Sequence, residues 1–265
     1  MVQFTQKERY TQADLAEIMR ILRAPGGCPW DAEQTHESIK KNLIEETYEV
    51  IEAINRRDDV LLCEELGDVL MQVVFHAQMA QEAGAFALED VADGVCRKLV
   101  ERHPHVFGDV TVADAGEVLS NWDKIKRSKK GQAAGSAPML GVPRELPALM
   151  RSGKVQQKAA AVGFDWPDAD GAMDKLREEL GELQEAMAAG DSAAAQEELG
   201  DLLFSAVNVS RFLHCDAEEA LTSVCDKFIA RFIQVEKLAK QAGIDMQNAA
   251  LAQMDELWDE AKLSR

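Results

Sequence analysis

Two short acidic stretches decide the fold: Glu45-Glu46-Thr47-Tyr48-Glu49 and Glu178-Glu179-Leu180-Gly181-Glu182. After fifteen residues each is followed by a second acidic pair, Glu65-x-x-Asp68 and Glu198-x-x-Asp201, so that five acids recur at a constant offset of 133 residues. Residues three or four apart share one face of an α-helix, so each stretch directs its carboxylates the same way. Two facing helices would gather these oxygens at one point, which is how proteins hold hard divalent cations such as Mg²⁺.

Composition limits the classes of protein that the chain can belong to. Its 265 residues are 46% apolar, which suits one large folded domain or two small ones. The net charge of −18 argues against a nucleic-acid polymer as partner, because binding its backbone requires clustered Lys and Arg. The N-terminus lacks a secretory signal core, no apolar run has membrane-spanning length, and the five cysteines include no C-x-x-C pair. We therefore expect a cytoplasmic protein without a membrane partner.

The repeat extends well beyond the acids. Three further pairs of segments match in the same order: 64–68 with 197–201, Val95-Cys96-x-Lys98-x-x-x-Arg102 with Val224-Cys225-x-Lys227-x-x-x-Arg231, and Trp122-Asp123-x-x-Lys126 with Trp258-Asp259-x-x-Lys262. This order predicts a duplicated chain. The Gly, Ser and Pro content of residues 128–143 predicts a linker between domains at 1–127 and 144–265.

Apolar residues recur at helical spacing in both halves, and no segment alternates with the period of a strand. This predicts an all-α protein with two tandem repeats that each resemble a four-helix bundle. Runs near 89–102 and 216–241 are expected to be amphipathic helices, and 69–79 is apolar enough to be largely buried. Cys96 and Cys225 fit small apolar core positions. Gly67 and Gly200, each costing about 1 kcal/mol against Ala inside a helix, predict a close helix approach beside the acids.

A solvated helix face is the ordinary interpretation of any single pair of glutamates. Here, however, the acids interrupt apolar stretches and keep their spacing in two otherwise diverged copies. Carboxylates gathered that closely repel one another unless they are protonated or bound to cations. Metal binding is therefore the favoured interpretation.

The kind of metal follows from the kinds of ligand. Di-iron bundles add a Glu-x-x-His motif on each of two helices, whereas Glu33-x-x-His36 lies in a turn and has no twin in the second half. An all-oxygen ligand set favours Mg²⁺ or Mn²⁺. Downstream, Lys98 with Arg102 and Lys227 with Arg231 are i,i+4 cation pairs, which beside a metal would suit the remaining charge of a triphosphate.

Taken together, these residues resemble the MazG family of nucleoside triphosphate pyrophosphohydrolases. Besides the acids, the resemblance rests on the segments 27–31, 101–108, 146–151 and 162–166. Related dUTPase-like and dCTPase-like bundles share the acid motif alone, whereas the tandem arrangement with these segments is specific. The resemblance implies hydrolysis of an NTP, including ATP, to NMP and pyrophosphate, with broad base tolerance, Mg²⁺ as cofactor (Mn²⁺ being possible) and a homodimer.

The resemblance also implies roles for particular residues. The implied metal ligands are Glu46, Glu49, Glu65 and Asp68 in the first repeat, and Glu179, Glu182, Glu198 and Asp201 in the second. The implied nucleotide contacts are Glu178, Lys227, Arg231 and Trp258 in the second repeat, and Lys98 and Arg102 in the first. A spare carboxylate beside the catalytic Glu179 and Glu182, either Glu178 or Glu45, would orient or deprotonate the attacking water.

Two other functions stay open at this point. A regulatory protein that senses NTP or alarmone levels with weak turnover would bind nucleotide in one repeat without catalysing, and a helical scaffold would use its acids only as a solvated face. His103 and His105 flank Pro104 without a second-half copy, which favours a structural turn over a metal site. Both acid sets are complete, so they do not identify the working repeat. The segments after the acids differ, and the second repeat is the favoured site.

Overall fold

The protein is described here by a computed structural model, which covers residues 4–118, 121–122, 125, 139 and 141–263. These residues contain α-helices and no strand, and this confirms the predicted all-α class. They fall into two compact units, one within Met1–Gln132 and the other within Ala133–Arg265. Asp123, Lys126 and most of the linker at 128–143 lie outside the described residues, and the predicted domain boundaries stay a prediction.

Eleven helices have described bounds. The first unit contains α1 (Gln12–Arg23), α2 (Pro29–Glu33), α3 (His36–Arg56), α4 (Asp59–Glu82), α5 (Leu88–Arg102) and α6 (Pro104–Phe107). The second unit contains α7 (Ala148–Ala160), α8 (Ala169–Ala189), α9 (Ser192–Phe212), α10 (Ala217–Ala242) and α11 (Leu251–Leu263). The helices expected near 89–102 and 216–241 are therefore present as α5 and α10. None of the described helices combines the length and apolar character needed to span a bilayer.

A two-residue turn joins the acid-bearing helices in each unit. Arg57 ends α3 in the left-handed region, and Asp58 then accepts hydrogen bonds from two amides of the first turn of α4. Gly190 and Asp191 repeat this arrangement between α8 and α9. The left-handed residue stops one helix and the aspartate caps the next, so the chain reverses at once. Both turns therefore fold an acidic helix back onto its partner.

The core of the first unit lies where α1, α3 and α4 meet. Its buried members are Met19, Ile39, Val74, Phe75 and Met79. The last three belong to the segment predicted to be buried, although Val73 in the same segment is 36% exposed. Burying such side chains stabilises the fold by about 1.5–3 kcal/mol each.

In the second unit, α7 packs against both α9 and α10. The far end of α10 forms a separate small core with α11, made of Val235, Ala239, Leu257 and Ala261. By contrast, α8 and α10 do not pack against each other. The acid-bearing hairpin and the α10–α11 arm are thus two distinct parts of this unit.

Two expectations about packing were wrong. A Cβ atom added at Gly67 or Gly200 would meet nothing within 4 Å, so neither glycine permits a close helix approach within its own unit. Cys96 and Cys225 are exposed instead of buried, because each lies on a helix face that no other described helix of its unit covers.

Candidate metal centres

Three carboxylates meet at the α3–α4 hairpin. Oxygen atoms of Glu46, Glu49 and Glu65 all lie within 4.8 Å of one another. The turn explains this convergence, because Glu49 lies eight residues before Arg57 and Glu65 lies seven residues after Asp58. Two antiparallel helices that rise equally from one turn bring such positions to the same height. We call this group the first trio.

The α8–α9 hairpin repeats the arrangement. Oxygen atoms of Glu179, Glu182 and Glu198 again lie within 4.8 Å of one another. We call this group the second trio. Each trio has one deeply buried member: Glu65 is 9% exposed in the first trio, and Glu179 is 5% exposed in the second.

The other predicted acids lie at the edge of the trios. Asp68 is close enough to raise the pKa of both Glu46 and Glu65 by charge repulsion, and Asp201 acts in the same way on Glu198. Glu45 also raises the pKa of Glu46. The structure thus brings three predicted ligands together in each repeat and leaves the fourth as a near neighbour.

Loss of water contact and mutual charge repulsion both raise the pKa of carboxyl groups in the trios. Burial is the largest cause that raises the pKa of Glu46, Glu65 and Glu198 above the ordinary value. The next cause is the charge of Asp68 for Glu46, of Glu49 for Glu65, and of Glu182 for Glu198. Gathered, partly dehydrated carboxylates are costly unless a proton or a cation compensates them.

This donor set fits a hard divalent cation. Every trio member offers a carboxylate oxygen, which is the ligand type that Mg²⁺ and Mn²⁺ accept. No histidine or cysteine belongs to either group in the described part of the chain, so softer metals have no matching ligands there. The trios themselves would be the residues that hold such an ion.

The structure places a cation that the sequence interpretation missed. The Nζ atom of Lys175 lies 2.6 Å from Oε1 of Glu179 and 2.8 Å from Oε1 of Glu178. These contacts, first with Glu178 and then with Glu179, raise the pKa of Lys175 above its ordinary value. Its position three and four residues before the two glutamates was the available signal in the sequence.

The predicted cation pairs lie on other helices. Lys98 and Arg102 are on α5, and Lys227 and Arg231 are on α10. In the described residues neither pair forms an ion pair with the trio of its own unit. Within one unit, then, no direct contact of this kind joins the predicted cation pairs to the predicted metal ligands in the described residues.

The arginine of each cation pair lies over the ring of a tryptophan that also recurs in the repeat. The guanidinium carbon of Arg102 lies 5.5 Å from the ring centroid of Trp122, and that of Arg231 lies 5.1 Å from the ring centroid of Trp258. The ring of Phe228 lies 5.0 Å from that of Trp258, centroid to centroid. The sequence repeat predicted that these residue types recur together, and their contact is a finding of the structure.

The histidines flanking Pro104 form no metal group in the described chain. His103 ends α5 and precedes the short α6, and its Nδ1 atom lies 2.6 Å from the carbonyl oxygen of Leu99. Its ring meets Trp122 edge to face, with centroids 5.7 Å apart. This agrees with a structural role at the turn.

Comparison with known proteins identifies the family. A model of the MazG nucleotide pyrophosphohydrolase domain matches the chain twice, at residues 34–107 and 169–236. The chain belongs to the MazG family. Each match contains one acid hairpin and the cation pair of the following helix, which confirms the tandem arrangement predicted from the repeat.

Three of the similar proteins match at least 92% of this chain. A Thermotoga maritima protein named nucleoside triphosphate pyrophosphohydrolase/pyrophosphatase MazG is 48% identical over 250 residues, covering 94% of each chain. A nucleoside triphosphate pyrophosphohydrolase of Escherichia coli K12 is 45% identical over 251 residues, covering 94% of this chain and 95% of that protein. The Bacillus subtilis protein YabN is 47% identical over 246 residues, which make up 92% of this chain and 50% of YabN.

Proposed function

We propose that this MazG-family protein is a nucleoside triphosphate pyrophosphohydrolase that uses Mg²⁺ to convert NTPs, ATP among them, to NMP and pyrophosphate with broad tolerance of the base. The observation that carries the proposal is the meeting of three carboxylates from two antiparallel helices, twice in one chain. The similar Thermotoga maritima and Escherichia coli proteins are named for this reaction. Mn²⁺ fits the same oxygen ligands.

Different side chains of the protein would bind the metal, accept the proton of the attacking water and bind the phosphates. The second trio would hold Mg²⁺, which when bound neutralises phosphate charge and makes the attacking water more acidic. Glu178 lies next to the trio with a side chain that is 57% exposed, so its carboxylate can accept a proton from that water. Lys227 and Arg231 would pair with phosphate oxygens, and the face of Trp258 would hold the Arg231 guanidinium in place.

Product analysis tests the reaction. The protein is incubated with ATP, GTP, CTP or UTP and Mg²⁺, and the products are separated by anion-exchange chromatography. We expect NMP and pyrophosphate from all four substrates, loss of turnover in EDTA, and recovery with Mg²⁺ or Mn²⁺. Release of orthophosphate with NDP, or no turnover of any NTP, would contradict the proposal.

We also propose that the protein works as a homodimer. On α10 an apolar stripe remains uncovered, in which Val224, Phe228 and Ile229 are each at least 50% exposed. Exposed apolar stripes of this kind mark surfaces that bind another protein. A second copy would cover this stripe, and it would bring a cation pair to a trio that lacks one within its own unit.

Mixing two inactive variants tests this arrangement. Glu182→Gln removes a trio carboxylate, whereas the double variant Lys227→Ala/Arg231→Ala removes the cation pair. If the site is shared between copies, unfolding and refolding an equimolar mixture should restore up to about a quarter of the wild-type activity, because mixed dimers contain one intact site. Sedimentation that gives a monomer at micromolar concentration would rule the homodimer out.

A further inference from the structure

The two trios differ in how their negative charge is compensated. At the second trio the ammonium group of Lys175 donates to Glu179 over 2.6 Å and to Glu178 over 2.8 Å. The Glu179 side chain is only 6% exposed. A positive charge therefore already lies on a carboxylate that belongs to the trio.

The described residues place no such partner at the first trio. The offset of 133 residues places Asn42 where the second repeat has Lys175, and an amide carries no charge. In the described residues no lysine or arginine forms an ion pair with Glu46, Glu49 or Glu65. The charged neighbours with the largest effects on Glu46 and Glu65 are themselves carboxylates.

A divalent cation and an ammonium group compete for the same carboxylate. Oε1 of Glu179 accepts from Lys175, and the trio uses the same carboxylate for a metal. An incoming ion must therefore share this carboxylate with a positive charge or displace Lys175 from it, and it meets no equivalent ammonium group at the first trio. We propose that Lys175 is a displaceable internal cation that weakens metal binding at the second trio, so that without nucleotide the first trio binds Mg²⁺ or Mn²⁺ more tightly. This rests on the proposed function only in treating both trios as metal sites.

An ordinary helical ion pair would have no such consequence. Arg177 and Asp174 form one on the same helix, at 2.7 Å, but their side chains are 66% and 77% exposed. Such a pair lies in water and contributes little. Lys175 differs because one of its two partners is almost completely buried and belongs to the trio.

Mn²⁺ binding to the full-length protein, without nucleotide, tests the proposal. Free Mn²⁺ is measured by electron paramagnetic resonance, and each trio is isolated by disabling the other with Glu49→Gln or Glu182→Gln. We expect the isolated first trio to bind Mn²⁺ about tenfold more tightly than the isolated second trio, as a difference of one close positive charge allows. Adding Lys175→Met should raise the affinity of the second trio about tenfold, whereas Lys175→Arg should leave it low.

Two further variants make the test specific. Asn42→Lys should weaken Mn²⁺ binding at the isolated first trio, and Arg177→Met, the matched control on α8, should change nothing at the second. Circular dichroism shows that each variant is folded. Equal affinities at the two trios, or no gain from Lys175→Met, would overturn the inference, as would the absence of Mn²⁺ binding at both.

Failure of the proposed function gives a different pattern. A protein that shows the difference in Mn²⁺ affinity but releases NDP, or turns over no NTP, retains the role of Lys175 and loses the proposed reaction. A protein that releases NMP and pyrophosphate but binds Mn²⁺ equally at both trios supports the proposed reaction and contradicts the role of Lys175.

Discussion

The guanidinium carbon of Arg231 lies 5.1 Å from the ring centroid of Trp258, and the first repeat has the same relationship between Arg102 and Trp122 at 5.5 Å. In both repeats the arginine belongs to the helix after the acid hairpin, and the tryptophan lies further along the chain. An aromatic face attracts a guanidinium group and limits its orientation. The pair therefore fixes the direction in which a proposed phosphate contact points.

Replacing Trp258 should weaken substrate binding more than it slows the chemical step. A cation–π contact contributes about 0.5–2 kcal/mol, so Trp258→Ala should raise KM for ATP about tenfold, and Trp258→Phe should raise it less. Steady-state kinetics at saturating Mg²⁺ measures both constants. Phe164→Ala is the control, since Phe164 is 83% exposed in the same unit and should leave KM unchanged. A fall in kcat at constant KM would contradict a role in binding.

The second repeat should account for most of the turnover. Glu182→Gln removes one metal-ligating oxygen from the second trio, and because several kcal/mol of charge stabilisation depend on the metal, kcat should fall at least about 100-fold. The loss caused by Glu49→Gln in the first trio should be at least about tenfold smaller. Single-turnover kinetics with ATP compares the two. Equal losses would refute a division of labour between the repeats.

Much of the fold follows from local sequence. The acids are three residues apart on one helix face, and nearly equal chain lengths separate them from the turn at Arg57–Asp58 and its twin at Gly190–Asp191. Two antiparallel helices joined by such a short turn place Glu49 beside Glu65. The duplicated pattern was therefore sufficient to predict facing helices with clustered carboxylates, and the tight turns that join these helices are a finding of the structure.

Other features depend on packing that no local pattern contains. Gly67 and Gly200 were expected to mark close helix contacts, yet nothing lies within 4 Å of a Cβ built on either, because the faces that carry them are uncovered in their units. The exposure of Cys96 has the same cause. The contact of Lys175 with Glu179 could have been predicted from the sequence, because the two residues are four apart on one helix. The comparison with Asn42 needs only the repeat offset of 133 residues.

Removing the buried charge of the first trio should stabilise the metal-free protein. Burial and the charge of Glu49 raise the pKa of Glu65, so the folded state binds more protons than the unfolded state. The stabilising effect of this proton is present below the unfolded pKa, near 4.3, and is lost as the pH rises through the raised folded pKa. In EDTA, Glu65→Gln should therefore raise Tm relative to the wild type by an amount that grows from pH 4.5 to pH 7.

Thermal unfolding followed by circular dichroism measures this effect. Glu52→Gln is the control, because Glu52 lies on the same hairpin with an exposed side chain that pairs with Arg56. A gain in Tm that is independent of pH would count against the explanation. So would a gain that persists unchanged in Mg²⁺, since a bound cation should compensate the charge of Glu65 in the wild type.

Arg23 should be the most important charged residue for the stability of the first unit. Its side chain is 7% exposed, forms a 2.8 Å ion pair with Glu82, donates to the carbonyl oxygens of Asp31 and Gln34, and lies over the ring of Phe75 at 5.3 Å. It thereby joins α1, α2 and α4. Arg23→Met should lower the free energy of unfolding by about 2 kcal/mol, because several charge-assisted hydrogen bonds are lost together.

Urea denaturation provides the measurement. Arg23→Lys keeps the charge but not the planar group, so it should lie between Arg23→Met and the wild type. The control is Arg20→Met, because Arg20 pairs with Glu17 on the exposed face of the same helix and its loss should not change the midpoint measurably. A midpoint for Arg23→Met equal to that of Arg20→Met would contradict the prediction.

A histidine pair should make the first unit less stable in mild acid. The Nδ1 atoms of His36 and His76 lie 2.8 Å apart with nearly parallel rings, while Nε2 of His76 is buried without a partner. Leaving that buried nitrogen unprotonated costs least, which assigns His76 Nδ1 as donor and His36 Nδ1 as acceptor. Protonating His76 would place a charged N–H at this buried nitrogen, which has no partner.

Burial, followed by the charge of His36, lowers the pKa of His76, so the unfolded state binds more protons than the folded state. Stability should then fall as the pH drops below the unfolded value near 6.5, by at most about 1.4 kcal/mol per pH unit. His76→Gln should reduce the difference in Tm between pH 7.5 and pH 5.5. His214→Asn should not, because His214 is an exposed residue with φ of 54°, a conformation that asparagine tolerates. If both variants keep the wild-type difference in Tm, the histidine pair does not cause the loss of stability.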